Sequence, residues 1–250
     1  DFRMVAFCFS ITSVSIIISV FLSRFLHPSD IRGEFIQASY RSSAAILGIA
    51  IIQNLYGNAG MAPLMIIASV PLYNVMAVVI LSIFKPGQGK LNGVVLKRTL
   101  KGIITNPIIL GIAAGTLWSL LRLPFPKILD STVGNLAKTA TPLGLMAMGG
   151  SLRFGKAFSR LKASVACTFM KLVGYEALFL PLAIRCGFTQ DKLVSIIMML
   201  GSASTVTCFV MAKNMDHEGS FSSGVVLLTT VFSAFTLTLW LFICKNLGLI

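Results

Sequence analysis

Charge is scarce in this chain, and negative charge scarcer still. Of 250 residues only 12% are Asp, Glu, Lys or Arg, and only eight are acidic. A soluble domain carries about twice that charged fraction, which argues against a surface that faces water all round. Histidine is limited to His27 and His217, both in polar stretches between apolar runs and expected to be solvated. The five cysteines, Cys8, Cys167, Cys186, Cys208 and Cys244, are scattered and lack the close spacing of metal ligands. They read as small buried hydrophobes, and no metal or cofactor is expected. No Walker sequence is present, which argues against ATP-driven pumping by this chain alone. Hydrolase and nucleotide signatures are missing too. The first residue is Asp1, an apolar run follows directly, and no signal peptide is visible. The chain is therefore expected to be truncated at its N-terminus.

What the chain has is apolar length. It is 56% hydrophobic with a mean hydropathy of +0.87. Its apolar runs are about 17–25 residues long, enough to cross about 30 Å of hydrocarbon. The reading is an all-α membrane protein with eight transmembrane helices. They are placed near residues 4–25, 38–56, 62–84, 103–122, 129–151, 163–184, 193–213 and 222–244. A net charge of +13 has nucleic-acid binding as its other usual meaning. Here the basic residues sit in loops between apolar runs, so topology accounts for them and no nucleic-acid partner is expected. The loop 85–102 carries Lys85, Lys90, Lys97, Arg98 and Lys101, and the loop 152–162 carries Arg153, Lys156, Arg160 and Lys162. The loop 57–61 has no basic residue, and 185–192 sets Arg185 and Lys192 against Asp191. Both basic loops fall on one side, which the positive-inside rule makes cytoplasmic. Residue 1 and the C-terminus then lie outside a multi-pass protein of the cell (inner) membrane.

The chain also echoes itself. Residues 42–81 and 202–241 share a plan at an offset of 160. Each copy opens on small polar residues, Ser42-Ser43-Ala44 and Ser202-Ala203-Ser204. Each reaches an Asn (Asn54, Asn214), crosses a polar turn with Gly and enters a long apolar run. Arg24 and Asp30 recur as Arg185 and Asp191, at an offset of 161. The copies start five spans apart, and an odd number of spans inverts the second across the membrane. Inverted repeats mark secondary transporters. Two such halves make ten spans, so two are expected before Asp1. Residues 1–84 are then the remainder of the first repeat (spans 3–5), 85–102 a cytoplasmic connector, and 103–250 the second repeat (spans 6–10).

Two spans have an unusual composition. Arg41-Ser42-Ser43-Ala44-Ala45-Ile46-Leu47-Gly48 places Gly and hydroxyls near mid-span, and Gly201-Ser202-Ala203-Ser204-Thr205-Val206-Thr207-Cys208 is richer still. Such stretches can break a helix inside the membrane, and half-helix N-termini then aim free N–H groups at an anion. The plainer reading is that Ser and Thr bond back to the i−4 carbonyl and small residues allow close packing. Lys171 sits mid-span, where a charge is costly and faces a cavity or a partner. Glu176 is its nearest acid, but i, i+5 does not share one α-helical face. Glu176 is the candidate for a coupling proton. Asn106-Pro107 opens the span 103–122, as a helix start or as part of a substrate site. Gly111 and Gly115 form a G-x-x-x-G pair that reads as close helix packing. Lys138 would snorkel or line a pore, and Lys213 would snorkel.

These residues resemble the auxin efflux carrier family of permeases over essentially the whole chain. Asn106-Pro107 followed by Gly115 resembles the entry to that family's sixth span. Thr141-Pro-Leu-Gly-Leu-Met-Ala-Met-Gly-Gly-Ser-Leu152 resembles its seventh. Arg41-Ser-Ser…Gly48-Ile resembles its fourth, and Phe209-Val-Met-Ala-Lys213 the ninth span of the plant carriers. The long central loop of the plant members is absent, so the bacterial type is the nearer match. The resemblance implies ten spans in two inverted five-helix repeats, with fourth and ninth helices that break and cross. It implies export or uptake of small organic anions such as mono- or dicarboxylates by alternating access. It would place substrate near Ser42, Ser43, Ser202, Ser204 and Thr205, with Asn106 and Lys171 as further candidates. The plant carriers have Pro at both crossings, whereas Ala50 and Cys208 stand there in this chain, and Ser43 replaces an Asn. The Ser/Gly stretches would then have to make the crossing.

Four functional classes follow. The first is a secondary transporter of an organic anion in the lipid bilayer, with protons as candidate coupling ion and a homodimer as candidate assembly. The second is a sodium-coupled symporter of the bile-acid type, for which Glu176 is the clearest membrane carboxylate. A non-transporting membrane subunit or sensor would instead keep 38–56 and 193–213 as unbroken helices without a central cavity. An intramembrane enzyme would need a nucleophile and a base in one pocket, for which only Ser with Lys171 offers itself.

Overall fold

The computed structural model describes residues 1–27, 29–86, 93–122, 124, 126–151 and 160–250. Lys90, Arg153, Lys156 and Leu152 lie outside the described residues, as does the side chain of Arg98. All regular structure among the described residues is helical. Among the described residues, five helices are long and apolar enough to cross a membrane, at Phe2–Ser23, Ser29–Tyr56, Ala62–Ile83, Leu161–Arg185 and Ser220–Asn246. The runs at 103–122, 129–151 and 193–213 are helical too, but they are shorter, more polar or interrupted.

Helix α1 spans Phe2–Ser23 and is followed by α2, Arg32–Tyr40. A non-helical step and a π turn, Ala44–Gly48, lead into α3, Ile49–Tyr56. Helix α4 spans Ala62–Ile83, α5 Gly93–Ile104, α6 Pro107–Leu120 and α7 Lys127–Gly150. Helix α8, Leu161–Phe169, passes through a second π turn, Met170–Gly174, into α9, Tyr175–Arg185. Helix α10, Gln190–Gly201, is interrupted before α11, Thr207–Asn214, and α12 closes the chain at Ser220–Asn246. The order of long helix, interrupted helix, long helix thus occurs twice, in 2–83 and in 161–246.

The interrupted helices form the centre. Helix α2 packs on α1 and α4, while α10 packs on α9, α12 and α4. Every residue from Leu193 to Gly201 is buried, as is every residue from Gly33 to Tyr40. The outward faces of the long helices are apolar, with Ile17, Phe21, Phe235 and Phe242 all exposed. On a soluble monomer such a surface would be an aggregation liability; here it is the face that meets lipid. Helices α6 and α7 lie outside the main core, α6 against α4 and α7 against α11. Pro107 takes the first position of α6, and the Asn106 side chain accepts from Ile109 N–H at 3.4 Å. This is the helix-start reading of Asn106-Pro107. Gly111 and Gly115 have open space where a Cβ would stand, so this pair makes no close packing among the described residues. Lys138 and Lys213 are both exposed.

His217 departs from expectation. It is a loop residue, but it is buried against Gly33, with Nε2 2.9 Å from the Leu81 carbonyl oxygen. Its loop is drawn inward by charge. Glu34, itself buried on α2, accepts from Gly219 N–H and Ser222 N–H, each at 2.8 Å. Gly219 brings no side chain to cap α12, so Glu34 supplies the acceptor from another helix, at the positive end of the α12 dipole. Arg160 adds ion pairs to Asp30 at 2.7 Å and Glu218 at 3.2 Å, and Lys85 pairs with Asp216 at 2.6 Å.

Glu34→Ala should destabilise the protein by about 1–3 kcal/mol, because two buried amides lose their charged acceptor. Thermal unfolding in detergent would read this as a clear fall in midpoint. An unchanged midpoint would show that the cap carries no load.

Candidate functional site

Both hydroxyl-rich stretches interrupt their helices, without proline. Helix α2 ends at Tyr40, and Arg41 turns to extended backbone with ψ 137°. Helix α10 ends at Gly201, and Ser202 does the same with ψ 155°. An interruption at membrane depth exposes amides and carbonyls that lipid cannot satisfy. Here the two interruptions satisfy each other. Ser43 N–H donates to the Ala203 carbonyl at 2.8 Å. Ser42 Oγ donates to Met199 O at 2.5 Å, and Ser204 Oγ donates to Ala38 O at 2.7 Å. Each break therefore sends a hydroxyl to the last turn of the opposite helix. Gln37 Nε2 adds a bond to Cys208 O at 2.8 Å, and Ser204 N–H reaches Thr229 Oγ1 on α12 at 3.0 Å. Serine is suited to this role because its short side chain competes with the helical backbone for partners.

A cavity of about 440 Å³ opens on one side of the crossing. Ser43, Ser204 and Thr205 line it, and Thr207, Thr141 and Thr230 add three more hydroxyls. Its remaining walls are apolar, among them Ile46, Leu145, Val206 and Val210. The π turn starts just after Ser43 and α11 starts at Thr207, so the beginnings of both half-helices meet the cavity. The first amides of such segments have no carbonyl of their own helix to donate to, and the dipole ends there are positive. An anionic head group would be recognised by amides and hydroxyls, and an apolar body by the walls.

The other candidates lie elsewhere. Ser42, Ser202, Lys171 and Asn106 do not line this cavity. Ser202 Oγ is buried and makes no hydrogen bond among the described residues. Lys171, 1% exposed, donates to Ser42 Oγ and to Leu200 O, the latter at 2.8 Å. Glu176 is fully buried, and its carboxyl presses on the Gly201 backbone so closely that a Cβ there would collide with it.

The sequence rule for Lys171 and Glu176 is overturned by the helix type. At i, i+5 an α-helix would separate them, but the π turn Met170–Gly174 lies between them. Hydrogen bonds in that turn run i to i+5, so five residues make about one full turn. Both side chains consequently face the same peptide, Leu200–Gly201. A π turn leaves a backbone carbonyl in need of a partner, and Trp240 Nε1 donates to Leu172 O at 3.2 Å.

The sequence matches the family described as Membrane transport protein over residues 2–241. The chain belongs to this family, that of the auxin efflux carriers. No curated protein matches it significantly. A membrane transport protein with two mutually bonded helix breaks and a cavity beside them has its candidate substrate site at that cavity. Thr141 and Gly144 reach the site from α7, where an added Cβ on Gly144 would stand 2.9 Å from Val206 Cγ1. Both belong to the segment that resembles the seventh span of the family, so they were within view of the sequence. Thr230 carried no signal, since a Thr within a long apolar helix looks like any other.

Gly201→Ala should cost about 1–3 kcal/mol through overpacking against Glu176. Most of that cost should vanish in the Glu176→Ala background, as a double-mutant cycle of unfolding midpoints would record. Additive effects would mean that the two residues do not touch.

Proposed function

We propose that this carrier is a secondary active transporter of a small organic anion, a carboxylate, moved by alternating access. One observation carries the reading: hydroxyls and two half-helix N-termini converge on a cavity that is otherwise apolar. The proposal counts eight spans of a ten-helix fold with two inverted repeats. Residues 1–84 belong to the first, 85–102 connect the halves on the cytoplasmic side, and 103–250 form the second. The recurrence of an interrupted helix between two long ones supports that division. Substrate would sit at Ser43, Ser204 and Thr205, on the cavity side. Ser42 and Lys171 would hold the crossing from the other side, Ser202 would pack there, and Asn106 would start α6. Glu176 would carry the coupling proton, since it is a fully buried carboxylic group at the crossing. The bonded breaks and the cavity weigh against a non-transporting subunit. Lys171 already donates to Ser42 rather than standing free as a base, which weighs against a Ser–Lys enzyme.

Proteoliposome uptake of mono- and dicarboxylates tests this reading directly, and absence of flux for all of them would sink it. With a transported carboxylate in hand, Thr205→Val together with Thr207→Val keeps the cavity shape and removes two hydroxyls. Apparent affinity should fall about tenfold, the cost of roughly one charge-assisted hydrogen bond. Orientation has its own test. Cys186 is the exposed cysteine and the other four are buried. A membrane-impermeant maleimide should therefore label intact cells through Cys186 alone, and Cys186→Ser should abolish labelling. Labelling only in inverted vesicles would reverse the topology.

A further inference from the structure

We infer that the Lys171 ammonium occupies a monovalent-cation site built between the two breaks, so that the cation the crossing needs is supplied by the chain itself. The inference rests on the crossing being the working centre of the carrier, as proposed above.

Three observations converge. The two groups that hold the ammonium, a backbone carbonyl and a hydroxyl, are ligands of a hard-cation site, and the Glu176 carboxyl group stands nearby as a counter-charge. Leu200 O belongs to the second break and Ser42 Oγ to the first, and Lys171 Nζ donates to both. Glu176 lies against the same Leu200–Gly201 peptide, fully buried and close to the ammonium without forming an ion pair with it. The location calls for positive charge. The last carbonyls of α10 end there, at the negative end of its dipole, at a depth without bulk water. Finally, the ammonium does not face the cavity, so its charge is not spent on a substrate there. A charge buried in a membrane span without such a task would be costly.

A tethered cation cannot leave with the substrate, and it makes a free one unnecessary. The protein should therefore be indifferent to sodium. Removing the side chain should convert a filled site into an empty one that a small free cation can enter.

The test is thermal unfolding of the purified protein in detergent at constant pH and ionic strength, in choline, sodium or ethylammonium chloride. The wild-type midpoint should be the same in all three. Lys171→Ala should unfold at lower temperature in choline and recover by several degrees in ethylammonium or sodium, saturating with concentration. The double variant Lys171→Ala, Glu176→Gln should lose that recovery. Equal midpoints for Lys171→Ala in all three salts would overturn the inference, as would a wild type stabilised by sodium. If Lys171→Ala yields no folded protein in choline, purification in ethylammonium or sodium decides. Recovery there supports the site, and failure of both Lys171→Ala and Lys171→Ser in every salt overturns it. In vesicles, wild-type flux should be unchanged when choline replaces sodium. Unfolding needs no substrate, so this test stands or falls separately from the transport reading.

Discussion

A helix that stops inside a bilayer must find partners for its severed backbone groups, and there is no water to provide them. In this carrier that requirement is met twice by one contact. Ser43 N–H bonds to Ala203 O, and Ser42 and Ser204 each send a hydroxyl to the last turn of the opposite helix. Neither break would be tolerable alone. Held together, they fix α2 and α10 at the centre of the bundle. They also place the starts of the following helical segments at the cavity, and they leave a small polar volume behind them where Lys171 and Glu176 meet Leu200–Gly201.

This arrangement separates two kinds of chemistry by the thickness of a backbone. In front of the crossing are hydroxyls, helix dipoles and apolar walls, with no charged side chain among the described lining residues. Behind it are an ammonium and a carboxyl group, both buried. Neighbouring serines fall on opposite sides, Ser43 lining the cavity and Ser42 bonding to Lys171. The non-helical step between Arg41 and Ser43 makes this possible, because it takes the two serines off a common helical path. The alternation would not survive in a helix.

Much of this was legible in the sequence. Small polar residues at matching places in two apolar runs pointed to both breaks, even though Ala50 and Cys208 stand where proline would have announced them. The family resemblance was equally legible, and the match over residues 2–241 bears it out. What stayed hidden depends on local helix type or distant packing. The i, i+5 spacing of Lys171 and Glu176 was judged by α-helical geometry, and a π turn changed the answer. His217 was expected to be solvated because the Glu34 cap that draws its loop inward lies more than 180 residues away in sequence. The G-x-x-x-G pair at Gly111 and Gly115 meets no neighbour among the described residues. The cavity wall contributed by α7 arises from a long-range contact that periodicity does not encode.

The π turn at Met170–Gly174 is, in effect, an α-helix with one residue too many. Its position in the chain therefore acts as a register mark. Everything after it, from Tyr175 to Arg185, is rotated by about 100° relative to a continuous α-helix, the angle one residue subtends. Glu176 faces Gly201 only because of that rotation. Loss of a single residue between Lys171 and Glu176 would restore i, i+4 spacing and keep the pair on one face, whereas winding the same residues into an unbroken α-helix would turn the carboxyl group away from the crossing. In this segment the type of helical turn, as much as the identity of its residues, encodes the site.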